Sequence, residues 1–181
     1  MSRILARRRG QKGFTLIELL IVVAIIGIIA AILIPNLLDA LQKAKQKRTV
    51  GDIRNIGTAW FSWFQDQVGA AAAGSGSTGQ YNWSGLTDLT ADNLLNTLYI
   101  STTMFYIQKI PAKDGWGGNY QYGFNDLAAS QVMGIRSLGR QSTADGTVYT
   151  MGPFIATDYD KDIVWADGFF VRYPAGVQTV N

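Results

Sequence analysis

An apolar run near the N-terminus constrains this chain more than any other feature. Residues 14–34 are 21 consecutive positions in which Glu18 is the only charged residue. A helix that crosses a bilayer needs about 20 predominantly apolar residues, so the run predicts one membrane-spanning helix. A carboxylate inside such a helix is costly unless a partner neutralises it. Glu18 is therefore a candidate functional residue.

Basic residues lie directly before the apolar run. Five of the 16 Lys and Arg residues fall within the first 13 positions, and such an excess marks the cytoplasmic flank of a span. Without this segment, 11 basic residues face 13 acidic ones, and the net charge changes from +3 to −2. The basic charge is thus local, and we expect no nucleic-acid partner.

The chain contains no cysteine and no histidine. Disulfides, thiolate catalysis, imidazole bases and ordinary zinc sites are therefore excluded. The glycine-rich segment 115–118 is not followed by the Lys-Ser/Thr pair of a phosphate-binding loop. No nucleophile–base motif is present either, and we expect a protein that is not an enzyme.

The chain divides into four predicted regions. Residues 1–13 form a basic leader, residues 14–35 a transmembrane helix, residues 36–68 the amphipathic second half of the same helix, and residues 69–181 a globular head. Pro35 is expected to interrupt and kink the helix, because proline removes an internal hydrogen bond. Within the head, the Gly-, Ala- and Ser-rich residues 69–85 predict a flexible loop.

The fold class predicted is α+β, a long helix packed on a small antiparallel sheet. Apolar positions recur at helical spacing along the second half of the helix and should face that sheet: Ile53, Ile56, Gly57, Trp60, Phe61 and Phe64. Thr90 or Asp92 should cap a short helix that carries Leu94, Leu95 and Leu98. The predicted strands are Met104–Ile110, Asn119–Phe124, Val132–Leu138, Val148–Ile155, Ile163–Trp165 and Phe169–Tyr173, with a hairpin turn at residues 166–168. Trp83, Trp116 and Trp165 are expected to pack in the core and turns rather than line a ligand site.

The string KGFTLIELLIVVAIIGIIAAILIP, residues 12–35, resembles the N-terminal signal of type IV prepilins and pseudopilins. The resemblance implies that Gly13 is the last leader residue, cut off by a prepilin peptidase, and that Phe14 becomes an N-methylated N-terminus. Glu18 matches the acidic residue of the family. Gly27 and Pro35 match positions that flank a helical stretch loosened in assembled filaments.

The chemistry of Glu18 agrees with this resemblance. Cleavage would leave a positive amine on Phe14, and the amine of a neighbouring subunit would neutralise Glu18 in a helical homopolymer. The resemblance also implies an inner-membrane assembly platform and minor pilins or pseudopilins as partners. The subunit would be a single-pass inner-membrane protein before assembly, and part of a periplasmic or cell-surface filament afterwards.

Two segments of the head are similar to the major pseudopilin of type II secretion. Residues 111–122, PAKDGWGGNYQY, are similar to its DPWGNPY segment, with Gly115 and Gly118 where the family favours proline. Residues 137–140 (SLGR) and 160–163 (DKDI) are similar to its SLG…DADI region. The alternative is the major pilin of a surface type IV pilus, which would serve adhesion or motility. A monomeric membrane-tethered periplasmic domain is a more distant alternative.

The same resemblance implies a calcium site in the acidic loop. Asp158, Asp160 and Asp162 place three hard oxygen ligands within five residues, as calcium prefers. Gln141 stands where the family usually has an acidic residue. The alternative is a solvated acidic turn before a strand.

Overall fold

The computed structural model of the chain describes residues 13–68, 80–99, 105–125 and 132–177. The chain forms two compact units, Met1–Ala40 and Leu41–Asn181. Residues 69–79 of the predicted flexible loop lie outside the described residues.

One helix, α1 (Leu16–Val68), accounts for 53 residues and confirms the long helix predicted from the sequence. Pro35 lies inside α1, so the helix continues through it, as the prediction of two halves of one helix requires; the kink stays a prediction. Proline cannot donate to the carbonyl of Ala31, one turn earlier. Beside that position, the side-chain amide of Asn36 donates to the carbonyl of Ile32 at 3.2 Å.

In the first unit, the apolar side chains of α1 are exposed almost without exception from Leu16 to Leu38. This part of the helix is long and apolar enough to cross a membrane. Such a large apolar surface indicates contact with lipid or with other protein chains.

The second unit is built on a sheet of six strands. The elements after α1 are β1 (Gln80–Asn82), a short 3-10 helix (Trp83–Gly85), β2 (Thr87–Leu89), α2 (Ala91–Leu98), β3 (Gln121–Phe124), β4 (Met133–Ser137), β5 (Val148–Thr150), β6 (Gly152–Phe154), β7 (Ile163–Ala166) and β8 (Phe169–Pro174). The order in the large sheet is β2-β3-β4-β7-β8-β6, and β1 pairs with β5 in a separate ribbon. All pairs are antiparallel except β6 with β8, which are parallel. The α+β class is confirmed, and the sheet is mixed rather than wholly antiparallel.

The predicted stripe on α1 forms the centre of the core. Ile53, Ile56, Trp60 and Phe64 are buried and belong to one cluster with side chains of the sheet. A Cβ at Gly57 would lie only 2.5 Å from the Trp165 indole, so a glycine is needed where the helix crosses β7. Burial of Trp83 and Trp165 confirms their predicted packing role.

Two local predictions about turns and caps are confirmed. The side chain of Thr90 accepts a hydrogen bond from the amide of Asn93 at 3.2 Å and caps α2. The β7–β8 hairpin turns at Asp167 and Gly168, whose φ angles are 48° and 104°. A tight hairpin of this kind requires positive φ at both positions.

Two predictions about strands and one about a loop are wrong in detail. Residues 105–110 form no strand, and Met104 lies outside the described residues; Phe105 instead stacks on Tyr99 with 6.0 Å between ring centroids. The predicted strand Val148–Ile155 splits into β5, in the two-stranded ribbon, and β6, in the six-stranded sheet. The break falls at Gly152, which has a φ of 142° and begins β6. The last six residues of the predicted loop 69–85 are ordered. They form β1 and the short 3-10 helix.

Candidate processing, assembly and metal sites

The start of α1 is closed by three hydrogen bonds between Thr15 and Glu18, two in one direction and one in the other. The backbone amide of Thr15 donates to Glu18 Oε2 at 2.9 Å, and the Thr15 hydroxyl donates to the same oxygen at 2.5 Å. The amide of Glu18 lies 3.3 Å from Thr15 Oγ1 and donates to it. This is a capping box, which satisfies amides that have no partner inside the helix. The T-x-x-E spacing in the sequence was a signal for it.

The predicted cleavage site lies just outside the helix. Gly13 and Phe14 precede the first helical residue, Leu16. Among the described residues other than its chain neighbours, none has an atom within 4 Å of a Cβ built on Gly13, and Phe14 is 75% exposed. Residues 1–12 of the leader lie outside the described residues, and cleavage between Gly13 and Phe14 stays a prediction.

Gly27 and Pro35 lie within α1, eight positions apart. Glycine weakens a helix by about 1 kcal/mol relative to alanine, and Pro35 removes one backbone hydrogen bond. The stretch between them is thus intrinsically less stable than the flanking helix. Its loosening in a filament stays a prediction.

In the second unit, Asp114 organises the loop that carries the first pseudopilin-like segment. Its Oδ1 accepts from the amides of Trp116 at 2.9 Å and Gly118 at 2.8 Å. Its Oδ2 accepts from the Ser137 hydroxyl at 2.7 Å. The buried carboxylate therefore joins this loop to the end of β4.

The same loop touches the second half of α1. A Cβ at Gly115 would lie 2.3 Å from the carbonyl oxygen of Lys45, and the Gly115 amide donates to Thr49 Oγ1 at 2.9 Å. Proline at 115 would clash with the helix and lose that donor, and proline at Gly118 would lose the amide bound to Asp114. The contact with α1 explains why glycine stands at position 115.

The acidic loop contains an ion pair at its exposed end. Arg140 Nε and Nη2 donate to the two oxygens of Asp160 at 2.9 and 2.7 Å. The guanidinium holds the pKa of Asp160 below its ordinary value, mainly through these hydrogen bonds. Asp158 Oδ1 accepts from the Asp160 amide at 3.3 Å, as an aspartate does in a tight turn.

Asp162 belongs instead to a buried network. Its Oδ2 accepts from the Tyr149 hydroxyl at 2.6 Å and from the Asp145 amide at 3.0 Å. Tyr149 in turn accepts from Arg136 Nη1 at 2.8 Å, and the Arg136 guanidinium lies 4.3 Å from the Trp83 ring centroid. Burial raises the pKa of Asp162.

No local sequence pattern predicts this network, because its members are distant along the chain. It links β4, β5 and the acidic loop in one chain of hydrogen bonds.

As placed, the three predicted calcium ligands do not form one ligand set. Asp160 is occupied by Arg140, and Asp162 faces Tyr149 in the interior. Asp162 Oδ1 is buried without a hydrogen-bond partner in the described part of the chain. Within that part, no group of three or more acidic side chains is placed to hold a metal ion. Calcium would have to displace Arg140 from Asp160, and its binding stays a prediction.

Comparison with known proteins agrees with this architecture. Residues 8–34 match the prokaryotic N-terminal methylation motif. A methylation motif, a long apolar helix and a small sheet packed on its second half define a type IV pilin-like protein.

Matches that extend beyond the N-terminal motif show which family of pilin-like proteins the chain belongs to. The type II secretion system core protein G of Pseudomonas aeruginosa is 33% identical over 126 residues, which cover 64% of this chain and 75% of that protein. The protein of the same name from Vibrio cholerae is 32% identical over 125 residues, 64% of this chain and 73% of the relative. The chain belongs to the family of the type II secretion system core protein G.

Pilins match over shorter stretches. The type IV major pilin protein PilA of Myxococcus xanthus is 47% identical over 57 residues, which cover 32% of this chain and 26% of that pilin. Identity to the pilin is higher, but it concerns a smaller part of both proteins.

Proposed function

We propose that this chain is the major structural subunit of the filament that drives type II protein secretion. The observation that supports this most directly is the extent of the match to core protein G. An alignment of 126 residues is longer than all of α1 with its 53 residues, so it includes part of the head. The apolar helix alone is common to pilins of several kinds and does not distinguish them.

Assembly would begin with removal of the leader after Gly13 by a prepilin peptidase. The new amine of Phe14 would then be methylated and keep its positive charge. Before assembly, Thr15 holds the Glu18 carboxylate at the start of the same helix. In the polymer, Glu18 would neutralise the Phe14 amine of a neighbouring copy.

That pairing sets the axial position of one subunit against the next. Apart from Glu18, the side chains from Leu16 to Ile34 are apolar and nearly all exposed. Packing between helices therefore favours many registers about equally. An unpaired charge in an apolar surrounding is costly. Only the register that brings Phe14 to Glu18 avoids this cost, which gives one filament geometry.

The chain would reside in the inner membrane as a single-pass protein and enter the filament on the periplasmic side. An assembly platform in that membrane and minor pseudopilins would be its partners. The role requires polymerisation and no catalytic activity.

The alternative is the major pilin of a surface type IV pilus, which the match to PilA of Myxococcus xanthus favours. Deletion of the gene, with complementation, separates the two. A secretion subunit is expected to abolish release of type II substrates and leave surface pili intact. Loss of pili with normal secretion would contradict the proposal and support the alternative.

A matched control is complementation with Glu18→Ala. Accumulation of this variant in membranes without restored secretion would tie secretion to polymerisation, rather than to the presence of the protein.

A further inference from the structure

The head carries one conspicuous apolar side chain on its surface. Ile155 is 74% exposed, more than any other large apolar residue described in the second unit. It follows β6 directly, in a turn closed by the Asp158 amide, which donates to the Ile155 carbonyl at 2.9 Å. The turn therefore presents a protruding aliphatic side chain with a carboxylate three residues away.

The same unit contains a groove of about 580 Å³ between α1 and residues 105–111. Apolar side chains contribute much of its wall, among them Ile56, Phe105 and Ile107. Lys109 also lines it and is exposed. Among the described residues, no carboxylate lies within 4 Å of the Lys109 amine.

The acidic residue of the groove is already engaged. Asp52 accepts from the Tyr120 hydroxyl at 3.1 Å and lies 3.6 Å from Arg48. Lys109 therefore supplies the available charge of the groove, and it is positive.

We propose that this groove receives Ile155 from a second copy of the chain, with Asp158 of that copy beside Lys109. Apolar surface meets apolar surface, and the flanking charges are opposite in sign. The inference rests on the proposed function, because it adds a contact between heads to the contact between helices.

The two patches are different surfaces of one chain. Residues 105–111 follow α2, which follows β2, whereas Ile155 follows β6, and β2 and β6 are the two edges of the sheet. A contact between two unlike patches leaves one of each unused at either end of a pair. It therefore propagates into an open polymer, whereas a contact between like patches stops at a dimer.

Chemical cross-linking can test the contact cleanly, because the chain has no cysteine. Asn55 lines the groove and is exposed, so Asn55→Cys and Ile155→Cys are made in separate chains and co-expressed. Treatment of sheared filaments with a short bis-maleimide should yield a dimer of the two variants. Both substitutions in one chain should yield a ladder of multimers.

Val148→Cys replaces Ile155→Cys as the matched control, since Val148 is also aliphatic and 53% exposed. It should give a cross-link to Asn55→Cys at no more than a tenth of the yield. Equal yields with the control, or filaments of normal yield that contain no 55–155 cross-link, would overturn the contact and leave the proposed function intact.

Charge reversal provides a second measurement. Lys109→Glu and Asp158→Lys should each reduce the sheared filament fraction severalfold, and their combination should restore it. A combination as defective as the single variants overturns the pairing. If the unsubstituted protein forms no filaments in its own secretion system, the proposed function fails and this contact fails with it.

Discussion

The Glu18 carboxylate accepts two hydrogen bonds from Thr15, one from the backbone amide and one from the hydroxyl. An acidic residue in an apolar helix thus has partners before any second subunit arrives. The amine of a neighbouring Phe14 must compete with these neutral donors. It does so as a charged group, which adds coulombic attraction to the hydrogen bond.

Glu18→Ala should leave membrane insertion and folding of the head unchanged, but reduce polymerisation at least tenfold. Glu18→Gln should be defective as well, because the amide keeps the shape and loses the charge. The measurement is the amount of subunit in the sheared fraction relative to membranes. Thr15→Ala is the control: it removes the hydroxyl cap and keeps the charge, so filaments should persist. If Thr15→Ala fails as badly as Glu18→Ala, helix capping and not charge pairing controls assembly.

The mature protein should begin at Phe14 and carry one methyl group on its amine. The intact mass of the filament subunit measures both features at once. Gly13→Val should block cleavage, because a branched side chain does not fit a site that accepts glycine. A filament subunit that retains residues 1–13 would contradict the processing site.

Calcium should raise the thermal midpoint of the detergent-solubilised chain, relative to a chelator, if Asp158, Asp160 and Asp162 bind it. A ligand specific to the folded state stabilises by about 2.7 kcal/mol at a hundredfold excess over its dissociation constant. Because Arg140 occupies Asp160, Arg140→Gln should enlarge the calcium-dependent shift. Identical midpoints in calcium and chelator, for both proteins, would remove the metal from this loop.

Asp162→Asn should gain stability relative to the unsubstituted chain as the pH rises. Burial raises the pKa of Asp162 in the folded state above 3.8, so the unfolded chain ionises first. The contribution of Asp162 to the free energy of unfolding is therefore fully present below pH 3.8. It is lost as the pH rises through the folded-state pKa. Asparagine does not titrate and keeps an oxygen for Tyr149. Chemical denaturation in chelator, across this range, measures the difference; a constant difference between the two proteins would exclude a raised pKa.

Gly115→Ala should destabilise the head by about 2 kcal/mol, because a methyl group there meets the backbone of α1. Gly51→Ala is the matched control, because Gly51 is a helical position. Apart from the helix's own backbone, the described residues have no atom within 4 Å of a Cβ there. That substitution should stabilise by about 0.5–1 kcal/mol. The measurement is the denaturation midpoint of each variant. Equal changes for Gly115→Ala and Gly51→Ala would show that Gly115 is not in close contact with the helix.

Periodicity and turn chemistry predicted those parts of the fold that depend on local sequence. The stripe from Ile53 to Phe64 repeats at the helical period and is buried as expected. Asp167-Gly168 supplies the positive φ angles of the hairpin. In each case, one short segment carries the whole signal.

Features that depend on distant residues were not predictable in this way. Residues 105–107 have the composition of a strand, but they pack as irregular chain, with the Tyr106 hydroxyl 2.6 Å from Asp66 of the helix. The chain of hydrogen bonds from Arg136 through Tyr149 to Asp162 joins β4, β5 and the acidic loop. The candidate assembly residues were found from the N-terminal string, whereas the partners of the acidic loop became visible only in the structure.

The parallel pairing of β6 with β8 also fixes an order of events during biogenesis. β6 is made before β7 and β8, yet its partner strand ends at Pro174. In the proposed topology the head crosses the membrane from its N-terminal side, so β6 has no partner strand on the periplasmic side until β8 has also been exported. Closure of the sheet is consequently a late step, and a subunit whose export stalls before β8 would display an open edge instead of a finished head.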